Sequence, residues 1–298
     1  MTGVTASALC ARIARSEKQP RTTMKQQNLG FIGAGNMASS LIAGLLADGY
    51  QPENIWASDI EPEKLTLLGK RFGIHTATDN HVVVEHSQIL VLAVKPQTLQ
   101  VVAKDIAPAV KRCNPLVISI AAGVTEAAID RWLGGANAIV RCMPNTPALV
   151  KTGATALHGN AEVSAEQRSR AEAILRSVGV AVWVEREELL DAVTALSGSG
   201  PAYFFLLMEA MEDAAVALGL EPQTARLLTQ QTALGAARVA IESEESPADL
   251  RKRVTSPGGT TERAIGSFER AGLRAFVVEA MSAARDRAVE LSRQLGEG

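Results

Sequence analysis

Ser256-Pro257-Gly258-Gly259-Thr260-Thr261 places three hydroxyls and two adjacent glycines where a helical pattern, Thr261–Arg270, begins. Glycine lets the backbone approach a ligand closely and take positive φ, and Pro257 stiffens the approach. The start of a helix carries unpaired N–H groups and the positive end of the helix dipole, so it can hold a carboxylate or phosphate. A turn that merely opens a helix has the same composition. From this segment alone both readings stand.

A second glycine-rich segment lies upstream. Gly33-x-Gly35-x-x-Ala38 fits the dinucleotide fingerprint, between an apolar strand and a helix pattern. Gly33 permits the tight turn, Gly35 leaves room for a pyrophosphate, and Ala38 lets helix and strand pack closely. Asp59 falls at the end of the second strand, where an acid accepts hydrogen bonds from a ribose 2′-OH and repels a 2′-phosphate. The first basic residue after it is Lys64, so the local physics leans to NADH. Asp59 as a cap for the next helix is the competing reading. Ala93-Val94-Lys95-Pro96 ends the third strand, at the side where open α/β sheets bind ligands. Lys95 either faces phosphate or ribose or points to solvent. Ile120-Ala121-Ala122-Gly123 ends the next strand with small residues that leave space for a flat ring. Arg141-Cys142-Met143-Pro144-Asn145-Thr146-Pro147 belongs to the same rim, made rigid by its prolines.

These segments need a scaffold that brings strand ends together. Strands are expected at Leu29–Ile32, Asn54–Ser58, Ile89–Val94, Leu116–Ile120, Ala138–Cys142, Thr155–His158 and Ala181–Val184. Helices are expected at Pro62–Arg71, Thr98–Val110 and Ala165–Val178, and from the glycine loop to Leu46. Apolar strands alternating with helices predict a parallel sheet buried on both faces. After Glu185-Arg186-Glu187-Glu188 only helices follow: Glu188–Leu196, Pro201–Leu218, Pro222–Ile241, Pro247–Val254, Thr261–Arg270 and Arg274–Leu295. Ser199 or Gly200 is expected to cap the second of these and Ser246 the fourth. The division is therefore a leader at 1–23, a Rossmann dinucleotide-binding domain at 24–186 and a helical substrate and dimerisation domain at 187–298. Pro201–Met208 is apolar nearly all round. It is either a core helix of one subunit or a helix buried between two, the second being favoured because the helical domain is small.

Composition narrows the class. The chain has 298 residues, enough for two domains at roughly 150 each. A formal charge of −2 without a basic stripe argues against nucleic acid. No apolar run approaches the ~20 residues that span a bilayer. Three scattered cysteines and four scattered histidines point to a reducing, cytoplasmic setting and to no metal site. The leader holds Arg12, Arg15, Lys18 and Arg21 against Glu17, without an amphipathic stripe or a signal-peptide core.

In order along the chain, FIGAGNMA (31–38), AVKPQ (93–97), SIAAGVT (119–125), RCMPNTPA (141–148), DAVTALSGSGPAYFF (191–205) and VTSPGGTT (254–261) resemble the pyrroline-5-carboxylate reductases of proline biosynthesis. The resemblance runs from about Leu29 to about Leu295. It implies reduction of the ring C=N of 1-pyrroline-5-carboxylate to L-proline by NADPH or NADH. It also implies a Rossmann domain followed by an all-helical domain through which subunits interleave as dimers or multiples of dimers. Ile32, Gly33, Ala34, Gly35, Asn36 and Met37 would hold the pyrophosphate, and Asp59 and Asn80 the adenine-side ribose. Ala93, Val94, Lys95, Pro96, Ile120, Ala121 and Ala122 would line the nicotinamide ribose. Ser256, Gly259 and Thr260 would bind the substrate carboxylate, and Thr261 would hydrogen-bond the imine nitrogen.

The residues agree with that chemistry. A cyclic imine can be protonated before hydride arrives, so a threonine hydroxyl suffices where the second half offers neither His nor Cys. A hydroxy-acid dehydrogenase of the same plan would want a Lys or His base in the helical domain. A non-catalytic sensor would lack the threonine or the carboxylate site. Two departures from the family stand out. Asp59 replaces a small hydroxyl or basic residue, which leaves the usual NADPH preference open. Arg253 replaces a smaller polar residue and either adds charge for the carboxylate or points to solvent.

Overall fold

The computed structural model describes residues 27–296, so the leader expected at 1–23 lies outside the described residues. Short apolar runs form strands Leu29–Ile32 (β1), Ile55–Ser58 (β2), Ile89–Leu92 (β4) and Leu116–Ser119 (β5), with Ile139–Met143 (β6), Gly153–Gly159 (β7) and Gly179–Trp183 (β8). Between them run Asn36–Ala47 (α1), Pro62–Phe72 (α2), Pro96–Cys113 (α4) and Ala165–Arg176 (α6). Three elements were not expected: His75–Ala77 (β3), Asn80–Glu85 (α3) and Glu126–Leu133 (α5).

The strands make one sheet in the order β3-β2-β1-β4-β5-β6-β7-β8. β1 pairs in parallel with both β2 and β4. Chain order reverses there, and such a switch point opens a crevice beyond the strand ends. Side chains alternate across the sheet, so both faces bury apolar residues. Phe31, Val91 and Ile118 pack on one side with α1, α2 and α6. Ile32, Leu90 and Val117 pack on the other with α3, α4 and α5.

The expectation of a parallel sheet throughout is corrected at β7, which runs antiparallel to β6, with Arg141 opposite His158. The link between them, residues 144–152, holds only the 3-10 turn Thr146–Val150. A parallel return needs a crossover of about a dozen residues or more, usually a helix. β8 then pairs in parallel with β7.

From Leu189 the chain is helical. Leu189–Val193 (α7) continues through a π-helical turn, Thr194–Gly198, into Gly200–Ala217 (α8). The cap expected at Ser199 or Gly200 is absent, because Ser199 keeps right-handed helical angles (φ −83°, ψ −21°). Then come Pro222–Glu242 (α9), Pro247–Arg253 (α10), Thr260–Arg270 (α11) and Leu273–Gly296 (α12). Ser246 does cap α10, accepting from the Asp249 N–H.

By packing, residues 27–201 and 281–296 form one compact unit and Ala202–Ala280 the other. The boundary expected at 186/187 follows the change from strands to helices. The packing boundary falls later because residues 187–201 belong with the sheet. The end of α12 also lies on the sheet unit: Leu295 packs into the core beside α5, and Arg131 donates to the Gly296 carbonyl at 2.5 Å.

In the helical unit few side chains are buried. Phe204, Phe205 and Leu206 on α8 are about two-thirds exposed (64%, 64% and 66%). The reading of Pro201–Met208 as a core helix of a single subunit is thereby overturned. Among the described residues, no helix is long and apolar enough to cross a membrane.

Candidate functional site

Gly33 sits at φ 104°, and a Cβ there would stand 2.7 Å from the Ala93 carbonyl oxygen. The turn from β1 into α1 and the end of β4 can only meet this closely through glycine. Gly35 is different. It is the N-cap of α1 in extended backbone, and a Cβ on it would meet no atom within 4 Å. The fold does not need glycine there, so the open space suits a ligand. No side chain caps α1 and its first turn holds no acid, so its leading N–H groups face outward unneutralised. This is a fit for the pyrophosphate of a dinucleotide.

Asp59 reaches this loop. Its Oδ2 accepts from the Ala34 N–H at 2.8 Å and its Oδ1 from the Glu61 N–H at 3.0 Å. It does not cap α2, whose N-cap is Glu61. Lys64 is drawn to Glu61 at 2.5 Å, a contact that raises the lysine pKa. Beside Asp59, Ser58 Oγ donates to Asn80 Oδ1 at 2.7 Å, which brings the first residue of α3 to the end of β2.

At the neighbouring strand ends, the Ala93 N–H donates to the Ile32 carbonyl at 2.8 Å and the Ile120 N–H to the Leu92 carbonyl at 3.2 Å. β1, β4 and β5 therefore end in one row. Lys95 is the exposed N-cap of α4 with Pro96 after it. Ala93, Val94, Pro96, Ile120 and Ala122 are half-buried along the row. Met37 is half-buried and Asn36 exposed at the start of α1. Two expected contacts narrow to the backbone, and a third loses its amide. The side chains of Ile32 and Ala121 are buried in the core, and the Ala34 N–H is already given to Asp59.

Sequence reasoning missed a buried ionic cluster under this rim. Arg141 Nη1 lies 2.9 Å from Glu187 Oε1, and Nη2 lies 3.9 Å from Asp191 Oδ1. Glu187 Oε1 also accepts the Glu126 N–H at the start of α5, at 2.8 Å. His158 Nδ1 meets Glu126 Oε1 at 2.8 Å. Burial holds the Glu126 and Asp191 carboxyls above the usual range, against the pull of His158 on the first and of Arg141 on the second. Burial also pushes the Cys142 thiol far up, so it is no nucleophile. The signal was an arginine inside an apolar strand, which demands a buried partner.

Ser256–Thr261 lies in the helical unit, between α10 and α11. Gly258 takes φ 71°, and Gly259 is the N-cap of α11 without a side-chain cap. The helix begins at Thr260, one residue earlier than expected. The Gly258 N–H donates to Glu262 Oε2 at 2.7 Å and the Gly259 N–H to the Ser256 carbonyl at 3.0 Å. Those two amides are spent. The donors left are the N–H groups of the first turn of α11. Among the described residues, no hydrogen bond ties up the hydroxyls of Ser256, Thr260 or Thr261. Arg253 is exposed and paired with Glu245. Among the described residues, no group of three or more His, Cys, Asp or Glu stands ready for a metal ion.

Comparison with known proteins agrees with this layout. Residues 187–291 match the family described as pyrroline-5-carboxylate reductase dimerisation, and 28–123 match NADP oxidoreductase, coenzyme F420-dependent. The chain is 51% identical over 274 residues to a pyrroline-5-carboxylate reductase of Pseudomonas aeruginosa, covering 92% of this chain and all of that one. A solved pyrroline-5-carboxylate reductase of Coxiella burnetii superposes with a TM-score of 0.87 at 47% identity, covering 90% of this chain and 99% of that chain. That of Plasmodium falciparum, with NADP bound, gives 0.80 at 30% identity, covering 90% and 99%. The chain belongs to the pyrroline-5-carboxylate reductase family.

Proposed function

We propose that this protein reduces the ring C=N of 1-pyrroline-5-carboxylate to L-proline, the closing step of proline biosynthesis. The observation that carries the reading is the open, uncapped helix start at Gly35, in a chain whose relatives match it over almost their whole length. The bound dinucleotide supplies the hydride. The backbone from Ile32 to Met37 holds the pyrophosphate, the Ala34 N–H staying with Asp59. Asp59 and Asn80 address the adenine-side ribose. Ala93 to Pro96 and Ile120 to Ala122 line the nicotinamide ribose, Ala121 through its backbone alone.

Ser256, Thr260 and the first-turn amides of α11 anchor the substrate carboxylate. Gly259 contributes by leaving the loop room to approach. Thr261 donates to the imine nitrogen or orients it. The imine nitrogen can take its proton before the ring carbon gains hydride, so no strong general acid is required.

For the cofactor, Asp59 leans the site to NADH, because a 2′-phosphate would meet a fixed carboxylate. The Plasmodium falciparum relative was solved with NADP, so both dinucleotides belong in the test. The helical unit assembles subunits as dimers or multiples of dimers, and the exposed apolar face of α8 supports this. We place the protein in the cytoplasm, where the free thiols of Cys113 and Cys142 persist. The test is direct: purified protein, pyrroline-5-carboxylate and each reduced nicotinamide in turn. Proline should form as nicotinamide absorbance falls. No turnover with either cofactor would sink the proposal.

A further inference from the structure

The π-helical turn Thr194–Gly198 is not accounted for by cofactor or carboxylate binding. Pro201 lies four residues after Ser197, so the helix N–H that would reach the Ser197 carbonyl is missing. Asn145 supplies the donor instead, with Nδ2 3.1 Å from that carbonyl oxygen. Its Oδ1 accepts from the Ala154 N–H at 2.8 Å. One partner only accepts and the other only donates, so a side-chain amide satisfies both at once.

Asn145 is also the N-cap of the 3-10 turn Thr146–Val150. Asparagine there ordinarily bonds its own helix, yet here it makes no cap bond. Its side chain is committed to the π-turn. The turn closes on the end of β6 from a second point as well: a Cβ on Gly198 would stand 2.4 Å from Met143 Cε. β6 adjoins β5, whose end carries Ile120 to Ala122. π-turns within α-helices concentrate at functional sites.

We infer that Asn145 is a positioning residue for imine reduction. It fixes the Thr194–Gly198 turn as a wall at the nicotinamide end of the site, and so sets how the substrate ring is seated over the hydride donor. This rests on the reductase reading above. Asn145 acts through the turn and touches neither reactant.

The test uses the full chain with Asn145→Ala, Asn145→Asp, Pro201→Ala and the double variant Asn145→Ala/Pro201→Ala. Turnover, KM for the imine and Kd for reduced nicotinamide, by its fluorescence, are measured for each. Asn145→Ala should lower kcat about 10- to 100-fold, as small misplacements of reactants do, while the cofactor Kd moves less than about threefold. Asn145→Asp keeps the bond to Ala154 but sets an oxygen against the Ser197 carbonyl, so its kcat should fall at least as far. Pro201→Ala returns an N–H to the helix register but does not restore the tie to Ala154, so the double variant should regain thermal stability while its kcat stays low.

A loss of thermal stability with unchanged kcat, or a double variant that regains full kcat, overturns the inference. If Asn145→Ala does not fold, Asn145→Asp and an Asn145→Ser/Pro201→Ala pair carry the same two arms. A wild type without turnover refutes the reductase reading itself. An active wild type with unaffected variants refutes only the role of Asn145.

Discussion

Asp59 uses both carboxylate oxygens on backbone N–H groups, one in the glycine-rich loop and one after β2. Its charge is thus held in place beside the loop that would carry the dinucleotide. A second negative charge close by costs about 1–4 kcal/mol between bulk-water and near-surface screening. Asp59→Ser removes the charge and keeps an acceptor for the loop, so kcat/KM with NADPH relative to NADH should rise about tenfold or more. An unchanged ratio would move selectivity elsewhere. Thr261 and Ser256 separate in the same kind of measurement. Thr261→Ala should lower kcat by about 10²-fold if the hydroxyl takes part in proton transfer. Ser256→Ala should mainly raise KM, since an anchor acts on binding. Asp191 yields a prediction of opposite sign to the usual one for a carboxylate. Burial raises its pKa, so the folded state binds a proton more tightly than the unfolded chain. The stability this contributes is present in acid and is lost as pH rises through the raised value. Asp191→Asn should therefore raise Tm more at pH 8 than near pH 4, where an ordinary aspartate is only half ionised. Equal shifts at both pH values would show that the Asp191 charge costs the fold nothing.

The strongly patterned elements were legible in the sequence, and the reasons others were not are local. β1, β4 and β5 are four-residue apolar runs buried on both faces, and the helices between them carry an apolar stripe. β3 is three mostly exposed residues at the sheet edge, without a hydrophobic pattern to read. α3 is only six residues long, and its two buried valines are consecutive. Pro201 reads as a helix start, because a proline in the first turn is the common case. That holds for α8, which opens at Gly200, but the π-turn leading into it, with the Ser197 carbonyl bonded to Asn145 far away in sequence, carried no local signal. The same limit applied at the SPGG turn, where the glycines and hydroxyls were visible but the reach of Glu262 to Gly258 was not. Packing also explains a glycine that carries no motif. Gly44 lies mid-helix in α1, where a Cβ would stand 2.6 Å from the Ser177 carbonyl oxygen. That contact seats α1 so that Gly35 faces the strand ends. Gly44→Ala should cost about 1–3 kcal/mol by overpacking against rigid backbone. It should also weaken cofactor binding, since the helix start moves. Denaturant melting and nicotinamide titration check the two halves, and a neutral result in both would detach α1 seating from the site.

For the molecule as a whole, the open question of the sequence was what covers α8. A helix apolar all round needs cover on every side, yet within one chain Phe204, Phe205, Leu206 and Leu207 are all exposed. Phe276 and Val278 on α12 and Leu227 on α9 add to the exposed apolar surface of the same unit. Monomeric proteins rarely leave contiguous apolar area of that kind in water. Burying one phenylalanine or leucine side chain contributes about 1.5–3 kcal/mol, so the face is a strong driver of assembly, in keeping with the match of residues 187–291 to a dimerisation family. The double substitution Phe205→Lys/Leu206→Lys changes exposed positions, so the isolated fold should survive it while association fails. Sedimentation should then show a mass near one chain where the wild type shows a multiple. If the SPGGTT turn of one subunit serves the cofactor of its partner, the separated chains should still bind nicotinamide and lose turnover almost entirely. Wild-type activity should likewise fall on dilution more steeply than protein concentration does. A variant that stays assembled would put the interface elsewhere on the helical unit. A monomer that keeps full turnover would place a complete site within one chain and end the shared-site reading.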